Sequence, residues 1–149
     1  MRAYCDGACR VSNPGECSAA FVVVAPGYDS APFEQGIVAQ FSTYLGPELH
    51  TNNYAEYQGL LHLLRWAEST STKGLSIYCD SALVVNQVNG FWKVNREELG
   101  RLWFEANALR YRGNHILEHI KGHSGNPGNE YVDKLCNQTL DEEFLRREQ

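Results

Sequence analysis

Four acidic residues stand where the hydrophobic pattern predicts parts of a packed core. Asp6 falls inside a strand-like stretch at the N-terminus, and Asp80 directly follows an apolar stretch that ends at Cys79. Glu56 lies in line with the apolar face of an amphipathic segment, and Asp133 flanks the apolar face of another. A carboxylate at such a position costs free energy unless it is paired or bound to a cation. Carboxylate oxygens are ligands for hard divalent cations, so the four acids predict a cation site. Mg²⁺ fits best, and Mn²⁺ is the expected substitute.

Each of these acids also has an ordinary structural explanation. Asp80 suits a helix N-cap, Glu56 and Asp133 suit solvated helix faces, and Asp6 suits a turn. Lys134 is the one basic residue directly beside any of them in the sequence. Four acids at the inner edges of different elements, with so little basic charge alongside, favour a shared cation site over four separate explanations.

The first three predicted elements are strands. They are rich in Val, Phe, Tyr and Ala, and Pro-Gly turn signals separate the first two and follow the second. The pattern predicts an antiparallel meander over residues 2–9, 17–26 and 33–44. From Thr51 the apolar residues recur at helical spacing until Gly74, which predicts a long helix.

The rest of the chain alternates between strands and helices. Strands are predicted over residues 75–79 and 115–120, and helices after Asp80 to about Val88, over residues 96–111, and after the glycine-rich loop 122–128. A meander followed by such alternation predicts an α/β domain, a mixed sheet with helices packed on its faces. We expect one domain over residues 1–149, with the charged end 141–149 frayed.

Composition is that of an ordinary globular protein. The chain has 149 residues, of which 43% are hydrophobic and 21% charged. No apolar run approaches the roughly 20 residues of a membrane-spanning helix, and the N-terminus enters a strand pattern without an apolar leader. We therefore expect a cytoplasmic protein. Its net charge of −5 disfavours a nucleic-acid partner unless some of the acids hold cations.

Five cysteines are present, an odd number, at positions 5, 9, 17, 79 and 136. They form no Cys-x-x-Cys pair, and most lie within apolar stretches. Buried free thiols are therefore the favoured interpretation, ahead of a metal or redox role.

Five local strings resemble the successive motifs of the ribonuclease H type 1 family, in the family's order. They are DGAC from Asp6, NPG from Asn13, TNNYAE from Thr51, YCDS from Tyr78 and KGHSGNPGNEYVD from Lys121. An isolated Asp-Gly or Asp-Ser would mean little. The third and fifth strings together are highly specific, and the resemblance spans nearly the whole chain.

The resemblance implies a ribonuclease H-like fold, a five-stranded mixed sheet with three antiparallel strands, then two parallel strands, and helices on both faces. It implies that the family's metal-binding acids are Asp6, Glu56, Asp80 and Asp133 and that His123, on a mobile loop, assists proton transfer or product departure. The implied substrate is an RNA/DNA hybrid. The residues implied to contact or adjoin it are Asn13, Thr51, Asn52, Asn53 and Asn129.

The chain departs from the family pattern in two places. The loop from Gly7 to Asn13 has one residue more than the familiar form, and residues 89–102 are too few for the basic protrusion with which many relatives grip substrate. Trp92, beside Phe91 and Lys93, could line a DNA channel or simply pack an exposed loop on the core. With its catalytic motif at residue 6, the chain is also expected to carry no N-terminal hybrid-binding module.

The expected activity is hydrolysis of the RNA strand by two metal ions, leaving 5′-phosphate and 3′-hydroxyl ends. Recognition of the 2′-hydroxyl across the wide minor groove would make cleavage largely independent of sequence. Three alternatives stay open: a polynucleotidyl transferase of the same fold, a hybrid-binding module without activity, and a domain of a reverse transcriptase. We expect a monomer with no obligate protein partner.

Overall fold

The computed structural model describes residues 1–28, 32–94 and 97–149. A five-stranded sheet has the spatial order β3-β2-β1-β4-β5. Its strands are β1 (Arg2–Arg10), β2 (Glu16–Val24), β3 (Ile37–Tyr44), β4 (Ser76–Cys79) and β5 (Ile116–His119). The first three pair antiparallel, whereas β4 runs parallel to β1 and β5 parallel to β4. This confirms the predicted mixed sheet.

Within the described ranges, four α-helices connect and cover the strands. They are α1 (Asn52–Ser69), α2 (Ala82–Val88), α3 (Glu97–Arg112) and α4 (Pro127–Arg147). The side chains of Thr51, Ser81 and Asn126 cap α1, α2 and α4 by accepting a backbone N–H from the first turn. No helix within the described residues is long and apolar enough to cross a membrane.

Both faces of the sheet are covered, as predicted. One core lies between the sheet and α1, α2 and α3, and is built around Leu60, Leu64 and Ile77. The second lies under α4, where Val132 and Cys136 pack against Tyr4 and Val22. Eight of the nine residues of β2 are buried because the strand is covered from both sides.

Most element boundaries differ from the predictions by one or two residues, and the start of β3 and the end of α1 differ by more. Residues 33–36 form a 3-10 turn, so β3 begins at Ile37 and not at Phe33. The described part of the third predicted helix begins at Glu97, and its predicted start at Arg96 lies outside the described residues.

The C-terminal end of the chain was expected to fray, and this expectation is wrong. Helix α4 continues to Arg147 because its last turns are fastened to the sheet. The guanidinium of Arg147 donates to the carboxylate of Glu16 and, at 2.7 Å, to the hydroxyl of Tyr44. We call Glu16, Tyr44, Glu143, Arg146 and Arg147 the C-terminal ion network.

The interpretation of all five cysteines as free thiols is also wrong. Cys9 and Cys17 are direct partners in the β1–β2 register, and a disulfide joins them. A sequence spacing of eight residues does not reveal this pairing, because it depends on where the hairpin turns. The remaining cysteines, Cys5, Cys79 and Cys136, are buried free thiols as expected.

Candidate active site

The register between β1 and β4 places Asp6 and Asp80 side by side, with Asp80 directly after the end of β4. Cys5 of β1 pairs with Cys79 of β4, so Asp6 and Asp80 each follow a member of one parallel pair. Both therefore stand where the neighbouring strands β1 and β4 lead to the carboxyl edge of the parallel part of the sheet. Open α/β sheets bind ligands at this edge.

The third acid arrives because α1 lies unusually close to β1. A Cβ atom on Gly7 would stand 2.2 Å from the carbonyl carbon of Ala55, and one on Gly59 would stand 2.4 Å from the carbonyl oxygen of Asp6. Neither approach is possible for a residue with a side chain, so the two glycines permit the contact. Glu56 thereby lies beside Asp6.

These three carboxylates form a compact group. Asp6, Glu56 and Asp80 each contribute an oxygen, and the three oxygens lie within 4.8 Å of one another. We call these residues the acidic cluster. Opposite oxygens around a magnesium ion are about 4.2 Å apart, so small side-chain rotations would suffice to seat one ion. The donor set is purely oxygen, as a hard cation requires.

The acidic cluster is a costly arrangement without a cation. Burial, and next the charge of Asp80, raise the pKa of Asp6 from 3.8 to about 7. Burial is also the largest cause of the raised pKa values of Glu56 and Asp80. Among the described residues, no salt bridge involves the cluster or Asp133. The arrangement therefore fits a divalent cation as the missing partner.

Asp133 stands near the acidic cluster but outside its 4.8 Å group. It lies in the second turn of α4, and its charge raises the pKa of both Asp6 and Asp80. The structure thus brings all four predicted acids to one end of the sheet, three in direct reach of one ion and the fourth at its margin.

His123 approaches the same carboxylates on the loop before α4. Its charge lowers the pKa of Asp80, and the adjacent Gly122 lies against the Asp80 carboxylate. The side chain is exposed, and its backbone has a φ of 55°, which a residue with a side chain seldom adopts. An exposed imidazole near the half-buried carboxylate of Asp80 is placed for proton transfer.

Asn129 adjoins the acidic cluster, as the resemblance implies for a neighbour of the site. Only 4% of its surface is exposed, and its side chain hydrogen-bonds to the Asp80 carboxylate. Asn129 is therefore placed to support Asp80, and its contact with substrate stays a prediction.

The predicted minor-groove residues meet at the start of α1. Asn13, at the tip of the β1–β2 hairpin, accepts a hydrogen bond from the backbone N–H of Asn52 at 3.0 Å. Thr51 caps the helix through Tyr54, and Asn53 lies in the first turn. Amide and hydroxyl groups thus form a continuous polar surface at this end of α1.

Trp92 lies in the segment after α2. Its backbone N–H, like that of Phe91, donates to the carbonyl oxygen of Asn86, while half of the Trp92 surface and 77% of the Phe91 surface are exposed. The anchored backbone and the exposed rings leave a binding role for Trp92 as a prediction.

Two neighbours of the cluster were not predicted from the sequence. The thiol of Cys79 lies 3.8 Å from the Glu56 carboxylate and donates to it, and a ring nitrogen of His119 lies 3.2 Å from the carbonyl oxygen of Asp80. Both residues lie within predicted strands, but their contacts depend on register, which no local pattern specifies.

The sequence model of the RNase H family matches residues 1–141. The chain belongs to the RNase H family. Ribonuclease HI of Halobacterium salinarum is 32% identical to this chain over 146 residues, which cover 95% of this chain and 65% of that protein. Ribonuclease H of Francisella philomiragia subsp. philomiragia is 30% identical over 152 residues, covering 94% and 90% of the two chains.

Solved structures of RNase H proteins agree with this assignment. The crystal structure of RNase H1 from Halobacterium salinarum superposes with a TM-score of 0.78 at 32% identity, covering 95% of this chain and 97% of the other. LC11-RNase H1, solved in complex with an RNA/DNA hybrid, has a TM-score of 0.79 at 23% identity over 96% and 98% of the two chains. The latter likeness supports the RNase H fold.

Proposed function

We propose that this protein is a metal-dependent endoribonuclease that hydrolyses the RNA strand of RNA/DNA hybrids. The observation that carries the proposal is the acidic cluster, three carboxylate oxygens within 4.8 Å of one another in a member of the RNase H family. The names of the ribonuclease H relatives and the hybrid bound by LC11-RNase H1 support the choice of substrate.

The chain's own residues would hold the metal. Asp6, Glu56 and Asp80 would bind the first Mg²⁺ ion, with Asp133 beside it as the fourth acid, and a second ion would join when substrate is bound, with Mn²⁺ as a substitute. When bound, the two ions supply positive charge for activating a water nucleophile and for stabilising the leaving 3′-oxygen. The products would carry 5′-phosphate and 3′-hydroxyl ends.

The remaining work falls to groups around the cluster. The imidazole of His123 would move a proton to or from the reacting oxygens, since it is exposed beside Asp80. Asn129 would hold the Asp80 carboxylate in place. The apolar surroundings that raise the pKa of Asp6 also strengthen its attraction to a cation.

Substrate selection would come from the polar surface at the start of α1. Asn13, Asn52 and Asn53 offer amide groups to the minor groove, where the 2′-hydroxyls of RNA are displayed. Thr51 would help hold a DNA phosphate, and Trp92 would line the DNA strand's path. Contacts of this kind involve no base edges, so cleavage should depend little on sequence.

The decisive experiment is a cleavage assay on end-labelled duplexes. With Mg²⁺, an RNA/DNA hybrid should be cut within its RNA strand, while RNA duplex and DNA duplex of the same sequence stay intact. EDTA should stop the reaction. Strand joining in place of hydrolysis would favour a polynucleotidyl transferase, and hybrid binding without cleavage in either Mg²⁺ or Mn²⁺ would favour a binding module.

Location and assembly are separate predictions. We propose a monomer that acts in the cytoplasm without an obligate protein partner. Size-exclusion chromatography with light scattering would test the first point, and fractionation of the source cells the second. A stable dimer at micromolar concentration would contradict the monomer.

A further inference from the structure

Arg10 connects two elements that carry acids of the active site. It is the last residue of β1, four positions after Asp6, and its guanidinium reaches across to α4. There it donates to the carbonyl oxygen of Asn137 at 3.1 Å, to the side-chain oxygen of Asn137 at 3.3 Å, and to the carboxylate of Asp141.

The connection continues to Asp133. The side-chain amide of Asn137 donates to the carbonyl oxygen of Asp133 at 3.0 Å, one helical turn earlier. Arg10 therefore holds the side chain and the backbone of the turn that follows Asp133. Strand β1, with Asp6, and helix α4, with Asp133, are joined by directional bonds at this point.

Apolar packing alone does not set the position of α4 along its axis. Val132, Cys136 and Leu140 are fully buried and select the face that α4 turns to the sheet. Hydrophobic contact is non-directional, however, and tolerates small displacements along the helix. Directional hydrogen bonds to groups at fixed places resist such displacements. Asp133, at the margin of the acidic cluster, is the acid most sensitive to them.

We propose that Arg10 is a positioning residue for the metal site, which holds Asp133 at its working distance from Asp6. The inference rests on the proposed function, because it takes Asp133 as a metal ligand. Among the described residues, the hydrogen bonds and the ion pair of Arg10 go to Asn137 and Asp141 and none goes to the acidic cluster. Its ion pair with Asp141 is partly exposed, so its removal should cost little stability.

Arg147 supplies a matched control. Like Arg10, it lies over the ring of Phe144 and joins α4 to the β1–β2 hairpin, in this case through Glu16. It does so at the far end of α4, four turns from Asp133 by sequence. Arg10→Met and Arg147→Met each remove a guanidinium and keep an apolar stem against Phe144.

The test measures how much Mg²⁺ each protein requires. Arg10→Met should raise the Mg²⁺ concentration for half-maximal hybrid cleavage by about tenfold, as loss of a group that orients a metal ligand typically does. KM for hybrid at saturating Mg²⁺ should not change. Arg147→Met should leave the Mg²⁺ requirement at the parent value.

A second readout needs no catalysis. Titration of ¹⁵N-labelled protein with Mg²⁺ alone, followed at the backbone amide of Asp133, should show the same rise in midpoint for Arg10→Met and none for Arg147→Met. Arg10→Lys keeps one cationic donor and should fall between parent and Arg10→Met, which also covers the case that Arg10→Met folds poorly.

A double-mutant test shows whether Arg10 acts on the metal site through Asp133. In an Asp133→Asn background, Arg10→Met should cause no further change in the Mg²⁺ midpoint. The proposal is overturned if the full effect persists in that background, or if Arg10→Met and Arg147→Met shift the midpoint equally. If the parent protein binds Mg²⁺ but cuts no hybrid, the proposed function fails while the amide titration still tests Arg10.

Discussion

The two ends of helix α4 lie against charged groups of opposite character. Near its start, Asp133 faces the acidic cluster, where burial raises the pKa of Asp6 to about 7. Near its end, Arg147 and Tyr44 hydrogen-bond to Glu16 and lower the pKa of that carboxyl to about 2. The ionised form of a carboxyl group is thus disfavoured at the start of α4, at Asp6, and favoured at its end, at Glu16.

This contrast between the two ends of α4 distinguishes charged groups that stabilise the fold from charged groups that form a binding site. The C-terminal ion network joins acids to arginines at the surface, and it extends α4 to Arg147. The acidic cluster gathers carboxylates with no salt-bridge partner among the described residues, at a cost in folding free energy. Such a cost is a mark of a binding site, because the ligand supplies the missing charge.

The largest expected effect is the loss of hybrid cleavage when one carboxylate of the acidic cluster is neutralised, compared with the same change in the C-terminal ion network. Asp80→Asn should abolish cleavage of hybrid while leaving hybrid binding nearly intact, because the amide keeps the shape and cannot hold the cation. Glu16→Gln, the same kind of change in the C-terminal ion network, should leave the rate unchanged. Rates and hybrid affinities of both variants in Mg²⁺ provide the check, and an active Asp80→Asn protein would refute the assignment of the cluster.

A smaller effect is expected at the loop before α4. His123→Ala should slow turnover by about 10- to 10³-fold, the range for a group that moves a proton without holding the ion. The Mg²⁺ requirement should stay at the parent value. His62→Ala is the control, because the His62 ring of α1 packs at a tilt against Phe41, about two turns along the helix from Glu56. An unchanged rate for His123→Ala would return this histidine to an ordinary surface role.

The two ends should also respond oppositely to pH in the metal-free protein. Asp6 has a folded pKa of about 7 against an ordinary 3.8, so the folded state binds its proton more tightly. The free energy of unfolding should therefore rise as pH falls from about 8 to about 5. Glu16 has a lowered folded pKa, so its stabilising contribution is present above its ordinary value of 4.5 and is lost as pH falls towards about 2.

Thermal melts in EDTA would test this contrast. At neutral pH, Asp6→Asn should stabilise the metal-free protein, whereas Glu16→Gln should destabilise it. Mg²⁺ at a hundredfold excess over its Kd should add about 2.7 kcal/mol to the parent's unfolding free energy and less to that of Asp6→Asn. If Asp6→Asn lowered stability and Mg²⁺ shifted all three proteins equally, the acids would not share one site.

The smallest expected effect concerns salt. Raising NaCl from about 0.1 M to about 1 M should shrink the difference in melting temperature between parent and Glu16→Gln, because exposed charges are screened. The difference between parent and Asp6→Asn should persist better, since Asp6 is 3% exposed. Equal screening of both differences would mean that the cluster is open to solvent in solution.

The sequence by itself determined the order of elements and the identity of the acids. Stretches rich in Val, Phe, Tyr and Ala between turn signals predicted the first strands, helical spacing predicted α1, and the misplaced charges of Asp6 and Glu56 indicated a cation site. These signals are local, since a buried face repeats along the chain and a carboxylate within it is costly wherever the chain goes. The motif strings then indicated the family, which the family model confirms.

Only the tertiary structure decided which groups meet. The register that levels Asp6 with Asp80, the glycine contact that brings Glu56 to Asp6, and the Cys9–Cys17 disulfide all join residues that are distant or ambiguous in sequence. The ordered end of α4 is of the same kind, because its charged residues suggest fraying until Glu16 and Tyr44 are seen beside Arg147. A local pattern encodes what each segment prefers, whereas partners across the fold are chosen by packing and directional bonds that form only when the segments assemble.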